Sequence, residues 1–348
     1  MSAHTALYRK YRPDTFAQVR NQEHVVPVLE GAIEKNSIPH ALLFSGTRGT
    51  GKTTLARIFA SAIGTSAVDL YEIDAASNRG IDDIRELREA VHTAPFESKY
   101  KVYIIDEVHM LTKDAFNALL KTLEEPPVHV IFILATTEEE KILDTILSRC
   151  QVFRMREPSR AALAAHVIDV AKQEGFTLEP DAAELIAIAA DGSFRDALSV
   201  MQKVLLASGD KIGEADEVAA IIGAPTKAVI QTLLGALAEK DAAAALGAVH
   251  TAVASYVDMK LFLRLLLERI RAVMLLRNMP KEADTILASF SESDCEQLKD
   301  IAKNNVTLNS HVMIRLLTVS EQLAISQIPQ LPLELAIIDI TSPVSKII

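Results

Sequence analysis

The sequence predicts an α/β domain with a parallel sheet, followed by a small helical domain and an all-α third region. Three observations lead there. Almost continuously apolar runs alternate with helical segments as far as residue 153. A Gly-rich phosphate-binding loop separates the first of these runs from a helix. After Glu157-Pro158 the strand signal disappears. Apolar runs buried on both faces and spaced by helices are the pattern of a parallel sheet sandwiched by helices.

In chain order, Gln22–Glu34 reads as a helix and Ala41–Ser45 as a buried strand. Gly46-Thr47-Arg48-Gly49-Thr50-Gly51-Lys52-Thr53 then completes a GxxxxGK[ST] loop that opens the helix Gly51–Ile63. Strands are expected at Asp69–Ile73, Val102–Asp106, Val130–Ala135 and Cys150–Phe153, with helices at Ile81–Val91, Lys113–Leu123 and Lys141–Leu147. Ser159 is a good N-cap for a helix running to about Gln173. Helices at Asp181–Ala190 and Phe194–Leu206 follow, with Asp191-Gly192-Ser193 between them. From about Gly223 the chain is rich in Ala and Leu at helical spacing, as in Leu261-Leu265-Ile270, and has no cluster of catalytic residue types. That region reads as a packing or oligomerisation domain, and the expected domains are 1–157, 158–222 and 223–348.

A chain of 348 residues, 49% hydrophobic and 24% charged, has ample core for two or three domains. No apolar run reaches the length of a membrane span, and Met1 to Pro13 lacks the apolar core of a signal peptide. Cys150 and Cys295 are the two cysteines, which excludes a Cys-rich zinc module or a disulfide framework. They fit a reducing compartment, so a cytoplasmic protein that meets no membrane is expected. The net charge of −10 argues against coating nucleic acid by bulk charge, although positive charge clusters in Tyr8–Arg12 and at Arg79, Arg85 and Arg88.

The chemistry begins at the loop. Its backbone N–H groups can wrap a polyphosphate at the positive end of the following helix. Lys52 would neutralise β/γ-phosphate charge and the Thr53 hydroxyl would bind Mg²⁺. Val102-Tyr103-Ile104-Ile105 carries a buried strand to Asp106 and Glu107 at its C-terminal end, where open α/β sheets bind ligands. Asp106 is suited to hold Mg²⁺ through water, and Glu107 to accept a proton from the water that attacks the γ-phosphate. An adjacent Asp-Glu pair favours hydrolysis over transfer to a hydroxyl substrate. Ala135-Thr136-Thr137 ends the next strand; a hydroxyl there suits the γ-phosphate, or simply caps a turn. Arg149, in Ser148-Arg149-Cys150, suits an arginine finger offered to a neighbouring subunit, or is an ordinary surface Arg. Arg195 opens a helix, where the dipole disfavours it, so it either reaches the γ-phosphate or pairs with Asp191 or Asp196.

These residues resemble the ATPase (gamma/tau) subunit of the bacterial DNA polymerase III clamp loader, a branch of the AAA+ ATPases. The matching stretches are Tyr8–Pro13, Pro39–Phe44, the phosphate loop, Glu72–Gly80, Tyr103–His109, Phe116–Pro127, Ala135–Glu138, Ser148–Cys150 and Gly192–Leu198. A weaker match, ending at Leu331–Ala336, relates the third region to the family's collar. The resemblance implies an AAA+ P-loop domain, a helical lid and a collar. It implies ATP-dependent loading of a sliding clamp onto primed DNA, inside a hetero-oligomer of clamp-loader subunits. It makes Gly46, Thr47, Gly49, Thr50, Gly51, Lys52, Thr53 and Thr54 ATP-binding residues, and Thr53 and Asp106 the Mg²⁺ residues. It assigns Glu107 to catalysis, Thr137 to sensor 1, Arg195 to sensor 2 and Arg149 to the trans-acting finger. Tyr8, Arg9, Arg12 and Pro13 would lie against adenine and ribose. Asn78, Arg79, Arg85 and Arg88 would face DNA, although Asp82–Arg85 and Arg85–Glu89 also have the spacing of pairs within a helix.

Two departures stand out. The family's four-cysteine zinc module is replaced by the short bridge Ala62–Asp69, so no zinc is expected. Asn21 stands where the family has Gly, and Asn also tolerates a left-handed turn. The chain ends after the collar-like region, where the tau form carries a long extension. Two other functions compete: a weakly catalytic scaffold subunit, and another DNA-remodelling AAA+ motor such as a branch-migration ATPase. Intact Lys52, Thr53, Asp106 and Glu107 weigh against the first, and the lack of a basic recognition helix after residue 224 against the second.

Overall fold

The computed structural model describes residues 5–342 except Arg79, residues 209–213, Ser289 and Ser291. The chain divides into two compact units. One is the chain up to Leu163 together with Ala190–Ser199; the other is Ala164–Ala189 together with the chain from Val200.

The first unit carries α1 (Leu7–Lys10), α2 (Val26–Glu34), β1 (Ala41–Ser45), α3 (Lys52–Ala62), β2 (Leu70–Asp74), α4 (Ile81–Val91), β3 (Lys101–Asp106), α5 (Lys113–Glu124), β4 (Val130–Thr136), α6 (Asp144–Leu147) and β5 (Gln151–Arg154). The five strands form one sheet in the order β2-β3-β4-β1-β5, every pairing parallel. The register sets Ser45 opposite Thr136 and Asp74 opposite Asp106, so the functional ends of β1, β3 and β4 share one edge.

Alternation along each strand explains the layers. Leu43, Tyr103, Ile105, Phe132 and Leu134 pack under α4 and α5 with Ile84, Leu87, Phe116 and Leu119. Leu42, Phe44, Val102, Ile104, Ile131 and Ile133 turn the other way, against Leu29 of α2 and Leu55 and Phe59 of α3. β1 and β4 are buried throughout, which is why they read as unbroken apolar runs.

The expected elements are present, with local shifts. α2 begins at Val26 rather than Gln22, because Asn21 is left-handed (φ 63°) and Gln22 turns to hydrogen-bond the backbone of Arg156. A 3-10 turn at Glu139–Lys141 replaces the first part of the helix expected from Lys141, and α6 starts at Asp144. Ser159 does cap the next helix, its hydroxyl accepting from the Ala162 N–H at 3.2 Å.

The short bridge before β2 is fastened by a buried carboxylate. Asp69 accepts hydrogen bonds from the N–H groups of Phe96 (2.6 Å), Glu97 (2.9 Å) and Ser98 (2.7 Å), while the Ser98 hydroxyl accepts from the Ser66 N–H at 2.7 Å. Burial works to raise the Asp69 pKa, but these donors together hold it well below the usual carboxylate range. Beside it, Lys101 gives its ammonium to the Ala90 carbonyl (2.8 Å) and the Thr93 hydroxyl (2.7 Å), closing the C-terminal end of α4.

The remaining helices are α7 (Arg160–Gln173), α8 (Pro180–Ala189), α9 (Phe194–Ala207), α10 (Ala215–Ile222), α11 (Lys227–Glu239), α12 (Ala242–Ala254), α13 (Met259–Asn278), α14 (Ala283–Leu287), α15 (Glu292–Asn304), α16 (Ser310–Leu323) and α17 (Leu331–Thr341). In the second unit, α13 is the central element: Phe262, Leu266, Ile270 and Val273 are fully buried among residues of α11, α12, α15, α16 and α17. No single described helix is long and apolar enough to cross a membrane.

Candidate active site

Gly46, Gly49 and Gly51 all have positive φ, at 146°, 78° and 100°. Gly49 also has no room for a side chain: an added Cβ would fall 1.9 Å from the hydroxyl oxygen of Ser193. Ser193 is buried and caps α9, accepting from the Asp196 N–H at 3.1 Å. The loop is therefore packed on Ser193 at Gly49. Gly51 ends the loop in the left-handed conformation and leaves α3 to start at Lys52.

Lys52 is buried, and its ammonium donates to the carbonyls of Gly46 (2.7 Å) and Thr47 (2.8 Å). Burial lowers its pKa, while the negative charges of Glu107 and Asp106 oppose that shift. Thr50 closes the loop by donating to the Thr47 carbonyl at 2.9 Å, and Thr54 is half-buried in the first turn of α3. The Thr53 hydroxyl donates to Asp106 Oδ2 at 2.7 Å, which joins the two expected Mg²⁺ residues directly. Asp106 Oδ1 accepts from the Glu107 N–H at 3.0 Å.

Glu107 is left-handed (φ 48°, ψ 46°), a conformation that costs a side chain about 1–3 kcal/mol and is retained where the surroundings fix it. Its Oε2 accepts from the Thr137 hydroxyl at 2.9 Å, so the expected catalytic residue and sensor 1 are in contact. Among the described residues no group of three or more His, Cys, Asp or Glu side chains stands together as a metal set.

The other expected residues fall into two groups. The Arg195 guanidinium stacks over the Tyr8 ring at 4.9 Å, and Arg9 lies 5.8 Å from the same ring. Arg9 lowers the pKa of Tyr8. Arg12, half-buried beside Pro13, has its pKa lowered by burial and then by Arg57, with Glu72 opposing. Arg195 is thus gathered with Tyr8.

Arg149, one-third exposed, is held away from the loop: it donates to Glu124 Oε1 at 2.7 Å and to the Thr145 carbonyl at 2.6 Å. Of the DNA-facing candidates, Asn78 folds back on the Asp74 carbonyl (3.0 Å) and Arg85 pairs with Asp82 (2.9 Å), while Arg88 is half-buried on α4. Arg79 lies outside the described residues.

Several contributors were not singled out from the sequence. Ser193 was hidden because its partner, Gly49, is 144 residues away. Glu124 and His109 belong to matched stretches, yet only the fold brings them to Arg149 and to the Glu107–Thr137 pair. Glu139 ties Ser45 at the end of β1 to Arg154 on β5, and the Arg154 hydrogen bond holds its pKa down.

The residues fit a magnesium-bound nucleoside triphosphate: a loop of positive-φ glycines at the start of α3, a buried ammonium, and a hydroxyl–carboxylate pair at the sheet edge. Family models match the chain from residue 65 onward, after the phosphate loop. One described as DNA polymerase III, delta subunit, matches residues 65–159; one described as DNA polymerase III clamp loader subunit, ATPase lid domain, matches 162–209. A third, DNA polymerase III subunits gamma and tau domain III, matches 214–346. The DNA polymerase III subunit tau of Escherichia coli is 36% identical over 327 residues, covering 88% of this chain and 51% of its own. The gamma/tau subunit of Mycobacterium tuberculosis is 38% identical over 320 residues (85% and 55%), and the tau subunit of Bacillus subtilis 44% over 265 (70% and 47%). The chain belongs to the gamma/tau family of bacterial DNA polymerase III clamp-loader subunits. It spans about half the length of these family members.

Among solved structures, the Thermotoga maritima RuvB Holliday junction branch migration motor aligns with a TM-score of 0.52 at 22% identity, covering 66% of this chain and 80% of that one. That likeness shows the AAA+ fold and nothing of the task.

Proposed function

We propose that this chain is the ATP-hydrolysing motor subunit of a clamp loader, acting in the cytoplasm with other clamp-loader subunits to place a sliding clamp on primed DNA. The observation that carries the reading is the convergence, at one sheet edge, of buried Lys52, the Thr53–Asp106 pair and the Glu107–Thr137 pair. A scaffold subunit would have no use for a strained, hydrogen-bonded Glu107 beside an intact phosphate loop. The organisation we propose is an ATPase domain over 1–157, a lid over 158–222 and a collar over 223–348.

The loop N–H groups and Lys52 would bind the phosphates, and Thr53 and Asp106 would hold Mg²⁺. Bound ATP–Mg²⁺ supplies the scissile phosphoanhydride and the divalent charge that neutralises it. Lys52 must first exchange its bonds to the Gly46 and Thr47 carbonyls for phosphate oxygens. Glu107 orients a water and takes its proton at the carboxylate, while Thr137 holds that carboxylate through Oε2. Tyr8, Arg9, Arg12 and Pro13 take the nucleoside side. Arg149 acts on a neighbour's nucleotide once it leaves Glu124, which makes hydrolysis depend on assembly. Asn78, Arg79, Arg85 and Arg88 are the proposed DNA-facing group; Arg85 would exchange Asp82 for a phosphate.

The test is Lys52→Ala, assayed for nucleotide binding and for clamp loading in the reconstituted mixture. Loss of both is expected. Clamp loading that survives the substitution unchanged would establish the scaffold reading instead.

A further inference from the structure

We propose that His109 is a positioning residue for hydrolysis, setting the Glu107–Thr137 hydrogen bond through its grip on Thr136 and Glu138. The inference rests on the ATPase reading above and extends it to a residue that does not touch the phosphate loop.

His109 lies in a 3-10 turn directly after Glu107, and its side chain is 5% exposed. Nε2 is 3.1 Å from Glu138 Oε1. A carboxylate only accepts, so Nε2 carries the proton. Nδ1 and the Thr136 hydroxyl share a hydrogen bond at 2.9 Å. The Thr136 oxygen in turn accepts from the Glu138 N–H at 3.0 Å. Glu138 thus closes a ring of hydrogen bonds: its N–H donates to Thr136, Thr136 and His109 share one, and His109 donates to the Glu138 carboxylate. Lys141 pairs with the same carboxylate at 2.6 Å and lowers its pKa, keeping it an acceptor.

That ring fixes the end of β4 at the point where Thr137 emerges. Thr137 is the residue that donates to Glu107. Nδ1 is 3.5 Å from Glu107 Oε2, too long for a good hydrogen bond, so the coupling runs through Thr136 and Thr137 rather than directly. Any buried histidine needs partners for its ring nitrogens; here they are the residues on either side of Thr137, which links the ring to the strand end.

The experiment is steady-state ATP hydrolysis in the reconstituted mixture of clamp-loader subunits, clamp and primed DNA, with nucleotide affinity and thermal stability measured in parallel. For His109→Ala, kcat is expected to fall about tenfold while KM and nucleotide affinity stay within about twofold. His109→Asn keeps a hydrogen-bonding group near the Nδ1 position and should recover most of the loss. His109→Gln reaches towards Glu138 and should recover less. In a Thr137→Ala background the His109→Ala loss should shrink, because the hydrogen bond it sets is already gone.

An unchanged kcat, a loss that falls on nucleotide affinity and stability, or an Asn variant no better than Ala would each overturn the proposal. Should His109→Ala not fold, Glu138→Ala, at a one-third exposed side chain, replaces it. Its kcat should fall several-fold at constant KM, and an unchanged kcat overturns the proposal. A wild-type mixture that hydrolyses nothing overturns the ATPase reading and this inference together; an active wild type with an equally active variant overturns this inference alone.

Discussion

Gly49→Ala is the substitution whose effect follows most directly from the geometry. Two separate costs apply. At φ 78° an L-residue is strained by about 1–2 kcal/mol. The new Cβ would also sit 1.9 Å from Ser193 Oγ and 2.7 Å from its Cβ, so Ser193 must leave its place. Displacing it removes the cap on the Asp196 N–H, worth about 1 kcal/mol. Together the substitution should destabilise the first unit by about 2–3 kcal/mol, which corresponds to a Tm lower by about 4–12 °C. Adding Ser193→Gly removes the clash and leaves the φ strain and the few tenths that a Gly cap costs. The double variant should therefore be more stable than Gly49→Ala alone, by roughly the cap term. Differential scanning calorimetry of the four proteins checks this. A Gly49→Ala protein as stable as the wild type, or strictly additive losses, would refute the packing argument.

Arg149→Ala should leave nucleotide affinity intact and lower hydrolysis in the assembled complex about 10³-fold, checked by binding and turnover on the same preparation. Loss of binding instead would make Arg149 structural through Glu124. The Asp69 carboxylate has a folded pKa below its unfolded one, so its stabilisation is present above the unfolded pKa and is lost as pH falls below about 4. Asp69→Asn should therefore be less stable than the wild type near neutrality, with the gap closing in acid, as urea titrations at several pH values would read. Burial pushes the Cys150 thiol up to about 11, so at pH 8 it should resist iodoacetamide in the folded protein and react once unfolded, as mass spectrometry would show.

The sheet and the phosphate site were legible because their signals are local. Unbroken apolar runs marked the buried strands, the loop placed Lys52 and Thr53, and Asp106-Glu107 followed directly on a buried strand. Their spatial meeting follows from parallel topology alone, since every strand ends at the same edge. What the sequence withheld depends on contacts between distant segments. The left-handed backbone at Glu107 carries no residue signature, since Gly or Asn would be the usual choice there. Glu124 holding Arg149, Tyr8 under Arg195, and Asp69 tying down residues 96–98 each join segments far apart in the chain. Arg85 shows the opposite case: its i,i+3 pairing with Asp82 was open from spacing alone, and that pair is formed.

The most direct test of the account is steady-state ATP hydrolysis by the wild type and by Glu107→Gln, with and without partner subunits, a sliding clamp and primed DNA. The account predicts weak turnover by the chain alone, strong stimulation only in the full mixture, and loss of that stimulation in Glu107→Gln with nucleotide binding kept. Turnover indifferent to clamp and primed DNA, or a Glu107→Gln protein as active as the wild type, would contradict it.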